Sequence, residues 1–143
     1  MIRRATEADI PALTAMGQRF VEETSYKTLV SADPERIAHT VVGILSTDTG
    51  VVLVSEGESG PTGMIAMLSY EHPFSGEMTA FEVVWWVNPE SRGDGIRLLR
   101  AAEEWGKQKG AKKMNMVAPN DRVGALYARL GYVPVETSFQ RSL

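Results

Sequence analysis

The sequence contains no cysteine, and this absence excludes disulfides, thiolate zinc sites and a cysteine nucleophile. It has only two histidines, His39 and His72, too few for a histidine-rich metal centre, so we expect no metal. No apolar run approaches the length needed to span a bilayer. The residues that follow Met1 do not form the apolar core of a signal peptide. We therefore expect a cytoplasmic protein without a membrane partner.

The sequence also has no excess of basic residues, since it contains 15 Lys and Arg and 18 Asp and Glu, for a net charge of −3. A nucleic-acid-binding protein is more often basic, so we expect no nucleic-acid partner. The composition is otherwise that of an ordinary globular chain, with 43% hydrophobic and 23% charged residues in 143. No repeat, low-complexity tract or linker interrupts it. We expect one domain over residues 1–143.

Helical and strand patterns alternate along the chain, which is typical of an α/β protein. A first helix is predicted to follow Thr6 as its N-cap and to run to about residue 22, and further helices are predicted over residues 34–45, 95–109 and 121–130. Strands are predicted over residues 51–55, 63–70, 78–87, 113–117, 132–135 and 137–139. Residues 26–32 and 71–77 are predicted loops. Gly110 and Gly131 are predicted to end the last two helices.

The turn Arg92-Gly93-Asp94-Gly95 lies between the longest predicted strand and a Leu-rich helix. The first N–H groups of a helix have no intrahelical partner and carry partial positive charge, so this turn predicts an anion site. It is not a P-loop, because no Gly-Lys-Ser/Thr follows. It is not a dinucleotide fingerprint either, because Leu98 stands where a third glycine is needed. Taken alone, the spacing is more often simply a tight turn.

Three segments in order along the chain carry a family resemblance. Val87-x-Pro89-x-x-Arg92-Gly93-x-Gly95-Ile96 resembles the pyrophosphate loop of the GCN5-related N-acetyltransferases. Ile2-Arg3-x-Ala5-Thr6-x-x-Asp9-Ile10 looks like the first strand and helix start of that family, and Asn120-x6-Tyr127-x3-Gly131-Tyr132 looks like its last helix.

The resemblance implies an α/β (α+β) fold, with a mixed, mostly antiparallel sheet of six to seven strands and about four helices. It also implies a transferase that moves an acetyl group from acetyl-coenzyme A to a primary amine by direct attack.

The resemblance also implies a set of cofactor-binding residues. Arg92, Gly93, Asp94, Gly95 and Ile96 would hold the pyrophosphate, and the backbone of Trp85 and Val87 would pair with the pantetheine amides. Asn120 could cap its helix, contact the cofactor arm, or do both. Arg97 stands where the family usually has Gly or Ala. Either the helix is shifted, or Arg97 points away from the phosphates, or its guanidinium joins the phosphate site.

Two residues are candidates for the chemistry. Tyr127 matches the position where many members carry a tyrosine that protonates the leaving thiolate, and it would also contact the cofactor; the alternative is an aromatic residue packed in the core. Glu82 lies within the long strand, where a buried carboxylate is costly unless it is paired or functional. It is the candidate base, acting directly or through water, and the alternative is a solvent-facing residue. A bulge in this strand would decide which face Glu82 occupies.

The acceptor is not specified by the sequence, and could be a small-molecule amine or a protein amine. In the family, acceptor contacts come from the first two helices and the loop near residues 71–77. Two other functions stay open: a coenzyme A-binding module with weak or no catalysis, and a binder of another nucleotide or phosphate. A homodimer formed through the last strands is a further possibility.

Overall fold

The computed structural model describes all 143 residues and contains one five-stranded sheet. The strands lie in sequence order: β1 (Ile2–Arg4), β2 (Gly50–Gly57), β3 (Gly60–Glu71), β4 (Met78–Val87) and β5 (Lys113–Asn115). All neighbours are antiparallel except β4 and β5, which are parallel. The prediction of a mixed, mostly antiparallel sheet is therefore confirmed.

Four α-helices accompany the sheet: α1 (Ile10–Glu23), α2 (Pro34–Leu45), α3 (Gly95–Gln108) and α4 (Asp121–Arg129). Their boundaries follow from local chemistry. The Asp33 carboxylate accepts the Glu35 N–H at 3.0 Å and so caps α2, with Pro34 in the first turn. The left-handed glycines Gly110 (φ 79°) and Gly131 (φ 94°) follow α3 and α4, as predicted. None of these helices has the length and apolarity to cross a membrane.

The sheet separates two hydrophobic cores, because successive strand residues point to opposite faces. On one face α1 and α2 pack through Leu13, Met16, Val41 and Ile44 against a set that includes Val54 and Trp86. On the other face α3 packs through Leu98, Leu99, Ala102 and Trp105 against residues such as Leu53 and Ile65. The apolar face that periodicity gives to each of α1, α2 and α3 is thus the face that packs against the sheet.

The prediction of six to seven strands is wrong, because residues 132–135 and 137–139 form no strand. Pro134 has no N–H to donate to a ladder. Tyr132 packs against the core beneath α3, but Val133, Val135 and Phe139 are 74%, 73% and 92% exposed, so the segment beyond Tyr132 buries no apolar face. The strand predicted over residues 113–117 is shorter than expected and ends at Asn115.

Candidate active site

The site lies where β4 and β5 separate. The two strands pair only where Thr79, Ala80 and Phe81 meet Lys113, Met114 and Asn115. Further along, the edge of β4 that faces away from β3 has no partner strand. The Asn88 N–H donates to the Thr62 carbonyl at 2.9 Å, which makes the adjacent Gly63–Val87 pair a non-hydrogen-bonded one. The amide groups of Val87, and by alternation those of Trp85, therefore face the open edge.

A β-bulge in β4 sets the direction of Glu82. Val84 pairs with Ala66 and Glu82 pairs with Met67, so Val83 has no partner and the alternation of side chains is broken there. Paired residues share a face, and Met67 belongs to the core beneath α3. Glu82 therefore lies on the same face of the sheet as Trp85. In a regular strand these two side chains, three residues apart, would lie on opposite faces.

Glu82 and Tyr127 are hydrogen-bonded to each other. The Tyr127 hydroxyl donates to Glu82 Oε2 at 2.9 Å and also lies 3.2 Å from the Val117 carbonyl oxygen. Loss of hydration raises the pKa of Glu82 to about 7, although the Tyr127 hydroxyl and the Val117 backbone act in the opposite direction. A carboxylate with this pKa can take up or release a proton near neutral pH. The solvent-facing alternative for Glu82 is thus not what the structure shows.

Tyr127 is both packed in the core and hydrogen-bonded through its hydroxyl, and its role as a proton donor stays a prediction. It is 6% exposed, its ring stacks on Trp85 with centroids 5.7 Å apart, and Tyr132 lies at 5.5 Å. Burial, followed by the charge and hydrogen bond of Glu82, raises the pKa of Tyr127 well above its usual value. The phenol therefore keeps its proton at neutral pH.

The predicted anion turn lies between β4 and α3, as the sequence indicates. Residues Pro89–Asp94 form a 3₁₀ turn and α3 begins at Gly95. Neither glycine has a positive φ, so the backbone itself does not require glycine here. A Cβ at Gly93 would meet no atom within 4 Å, and one at Gly95 would lie 3.6 Å from Trp85. The space beside Gly93, rather than backbone strain, is what the turn offers to a ligand.

The side chains around this turn carry both signs of charge, with Arg92 and Arg97 balanced by Glu90 and Asp94. Arg92 is exposed, and Ile96 is 45% exposed at the first turn of α3. Arg97 is 60% exposed and its guanidinium binds Asp94 Oδ1 at 2.9 Å. The helix is not shifted from its predicted start at Gly95. Arg97 therefore stays beside the turn, held by a neighbour within the same loop.

Two further predicted residues have defined surroundings. Asn120 Oδ1 accepts the Val123 N–H at 3.0 Å, so Asn120 caps α4. The indole nitrogen of Trp85 is buried and has no hydrogen-bond partner. Trp86 points into the opposite core and is 7% exposed, because successive strand residues face opposite sides of the sheet. A buried donor without a partner is a group that a ligand acceptor could satisfy.

Sequence reasoning did not identify Val117 or Tyr26 as parts of this site. Val117 contributes only its backbone, which leaves no trace in residue type. Tyr26 lies in a predicted loop, but the charge of Glu82 acts on its hydroxyl. Glu71 and Glu77, at the two ends of the predicted loop over residues 71–77, lie at the far end of the β3–β4 hairpin, where Glu77 pairs with Lys113 at 3.3 Å.

Comparison with known proteins identifies the family and the fold. A model of the acetyltransferase (GNAT) family matches residues 18–132, whereas no curated protein matches the chain. A transcriptional regulator from Bacillus halodurans is 18% identical, with a TM-score of 0.81 over 100% of this chain and 99% of that one. An aminoglycoside antibiotic 6'-N-acetyltransferase from Acinetobacter haemolyticus is 19% identical, with a TM-score of 0.78 over 100% and 97%. A ribosomal-protein-alanine N-acetyltransferase from Brucella melitensis is 15% identical, with a TM-score of 0.77 over 100% and 98%. At these identities the likenesses show the fold.

Proposed function

The chain belongs to the acetyltransferase (GNAT) family, and on that premise we propose that it transfers the acetyl group of acetyl-coenzyme A to a primary amine. The amine attacks directly, without a covalent enzyme intermediate, in keeping with the absence of cysteine. The observation that carries the proposal is the 2.9 Å hydrogen bond between Tyr127 and Glu82, beside the open edge of β4.

Three features of the chain fit acetyl-coenzyme A as the donor substrate. The free amide groups of Trp85 and Val87 can pair with the amides of a pantetheine arm, as an added strand would. The buried Trp85 indole N–H lacks an acceptor that a ligand could supply. The start of α3, with open space at Gly93 and the nearby cation Arg92, suits a pyrophosphate.

The geometry supports a division of labour between the two hydrogen-bonded side chains. Glu82, with a pKa of about 7, accepts a proton from the attacking amine as the N–C bond forms. Tyr127 keeps its proton until the C–S bond breaks, and then gives it to the departing thiolate. Because the Tyr127 hydroxyl already donates to Glu82, the same hydrogen bond can return the proton from Glu82 to Tyr127. The amine proton thus ends on the thiol, and both side chains are restored.

The acceptor class stays within primary amines, small or protein-borne. Of the structures similar in fold, one is named for a 6'-N-acetylation of an aminoglycoside antibiotic and one for an alanine of a ribosomal protein. Those names describe those proteins. For this chain a panel of small amines and short peptides, monitored by release of free thiol, is the direct search.

The test of the proposed chemistry is the Tyr127→Phe variant. We expect turnover to fall at least about 100-fold, because the proton donor is removed, while the dissociation constant of coenzyme A stays within about twofold. The Tyr70→Phe variant, at the distant end of β3, is the matched control and should behave as the wild type. Unchanged turnover in Tyr127→Phe would exclude Tyr127 as the donor.

Two outcomes would favour the other functions. Tight binding of coenzyme A by the wild type, with no turnover of any amine, would favour a binding module without catalysis. Binding of ATP in preference to coenzyme A, measured by titration, would favour a nucleotide or phosphate binder.

A further inference from the structure

The 3₁₀ turn Ser25–Thr28, which follows α1, is tied to the same backbone segment that holds the candidate catalytic pair. The Ser25 hydroxyl donates to the Pro119 carbonyl at 3.0 Å. Two residues before Pro119 lies Val117, whose carbonyl oxygen accepts the Tyr127 hydroxyl that also binds Glu82. A contact spanning 94 positions of sequence therefore brings this turn beside the site.

Tyr26, in the middle of this turn, is held by contacts that do not use its hydroxyl. Its ring packs on Phe20 with centroids 4.8 Å apart, and Phe20 in turn meets Trp86 edge-on at 6.4 Å. Its backbone N–H donates to the Thr24 hydroxyl at 3.2 Å, and that hydroxyl donates to the Phe20 carbonyl at 2.6 Å. The ring is thus positioned by α1 and its end, and the hydroxyl is left for another partner.

The Tyr26 hydroxyl differs from the other tyrosine hydroxyls near Glu82. Those of Tyr127 and Tyr132 donate to the carboxylates of Glu82 and Glu103, at 2.9 and 2.8 Å. Burial, followed by the charge of Glu82, raises the pKa of Tyr26, and its hydroxyl makes no hydrogen bond to that carboxylate. Because the Ser25–Pro119 hydrogen bond holds this turn beside the Val117 backbone, the half-buried Tyr26 hydroxyl is an unused partner next to the candidate catalytic pair.

We infer that Tyr26 positions the acceptor, with a primary amine lying between the Tyr26 hydroxyl oxygen and the Glu82 carboxylate. A neutral primary amine has two N–H groups and one lone pair. One N–H is donated to Glu82, the other to the Tyr26 oxygen, and the lone pair remains free for the acetyl carbon. This inference rests on the proposed function, because it requires an acetyl acceptor.

The arrangement predicts selectivity for primary over secondary amines. A secondary amine has a single N–H and can satisfy only one of the two oxygens, which leaves the other unpaired. The probes are therefore matched pairs: n-butylamine with N-methylbutylamine, and benzylamine with N-methylbenzylamine. Wild-type protein should favour the primary member of each pair at least about tenfold in kcat/KM.

The decisive variant is Tyr26→Phe, which keeps the ring on Phe20 and removes only the hydroxyl. We expect kcat/KM for the primary amines to fall about tenfold, mainly through acceptor KM, while the secondary amines change little, so the preference is lost. The KM of acetyl-coenzyme A should not change, and Tyr70→Phe should retain the preference. A retained preference in Tyr26→Phe, or an equal change in the KM of acetyl-coenzyme A, would overturn the inference.

A second measurement does not depend on turnover. The chain has four tyrosines, so labelling them with ¹³C at the ring carbon that bears the hydroxyl gives four signals, assignable with Tyr→Phe variants. Titration with n-butylamine in the presence of coenzyme A should move the Tyr26 signal and leave that of Tyr70 in place. A Tyr26 signal that stays unmoved at saturating amine contradicts the inference, whereas a wild type without turnover contradicts the proposed function.

Discussion

Replacing Glu82 by glutamine should remove a pH dependence from the stability of the protein. In the folded chain the pKa of Glu82 is raised from 4.5 to about 7, because the carboxylate loses hydration. The folded state therefore binds this proton more tightly than the unfolded state. The resulting stabilisation is fully present below pH 4.5 and is lost as the pH rises through about 7.

The size of the effect follows from the two pKa values. One step in pKa corresponds to about 1.4 kcal/mol, so a rise from 4.5 to about 7 represents about 3 kcal/mol over the full range. Between pH 5 and pH 8.5 most of this is sampled, and the free energy of unfolding should fall by about 2 to 3 kcal/mol from this group alone. Glutamine cannot ionise, and its amide oxygen can still accept the Tyr127 hydroxyl, so the variant should lose this dependence.

The assay is urea unfolding of the wild type and Glu82→Gln at both pH values. Other ionisable groups contribute to both proteins, so the quantity of interest is the difference between their two pH effects. Glu71→Gln, which changes an exposed glutamate at the end of β3, is the control and should behave as the wild type. If Glu82→Gln shows the same pH effect as the wild type, the carboxylate is not desolvated as the structure indicates.

Three further predictions test other parts of the chain. Gly93→Ala should leave the free energy of unfolding within about 0.5 kcal/mol, because its Cβ meets no atom, yet raise the dissociation constant of coenzyme A about tenfold in a binding titration; equal affinity would mean that the phosphates do not approach this residue. The Arg97→Ala variant should bind coenzyme A more weakly, and its binding should depend less on salt. The Arg100→Ala variant, changed one turn further along α3, should show neither effect. An identical salt dependence in both variants would place Arg97 outside the phosphate site. The Arg3 guanidinium lowers the pKa of Asp9 from 3.8 to about 2. About 2 kcal/mol of stability should therefore be present above pH 4 and be lost as the pH falls through about 2. The Asp9→Asn variant should lack this component in acid unfolding curves.

Helices and their ends were predictable because their signals are local. The apolar face of α3, the cap Asn120, and the glycine after each of the last two helices all act within a few residues. The position of the anion turn followed from the same signals, since it depends only on where β4 ends and α3 begins.

Other features depend on contacts that the sequence does not display. Period-two reasoning could not assign Glu82 to a face, because the unpaired Val83 changes the alternation and is itself an ordinary strand residue. Tyr26 lies beside the site because its neighbour Ser25 donates a hydrogen bond to the Pro119 carbonyl, and these two residues are far apart along the chain. The terminal segment has strand-like composition around Val133 and Val135, but strand formation requires a partner that this segment does not have.

The single unpaired residue in β4 has a consequence for comparing and engineering such chains. Val83 reverses the parity of the strand, so that residues on its two sides follow opposite odd-even rules for facing inward. An alignment gap placed one position away would assign every side chain from Met78 to Glu82 to the wrong face of the sheet. Deletion of one residue would move these side chains to the opposite face. A change that conserves every functional side chain could therefore still turn Glu82 away from Tyr127, and a variant lacking Val83 would retain the composition of the site without its geometry.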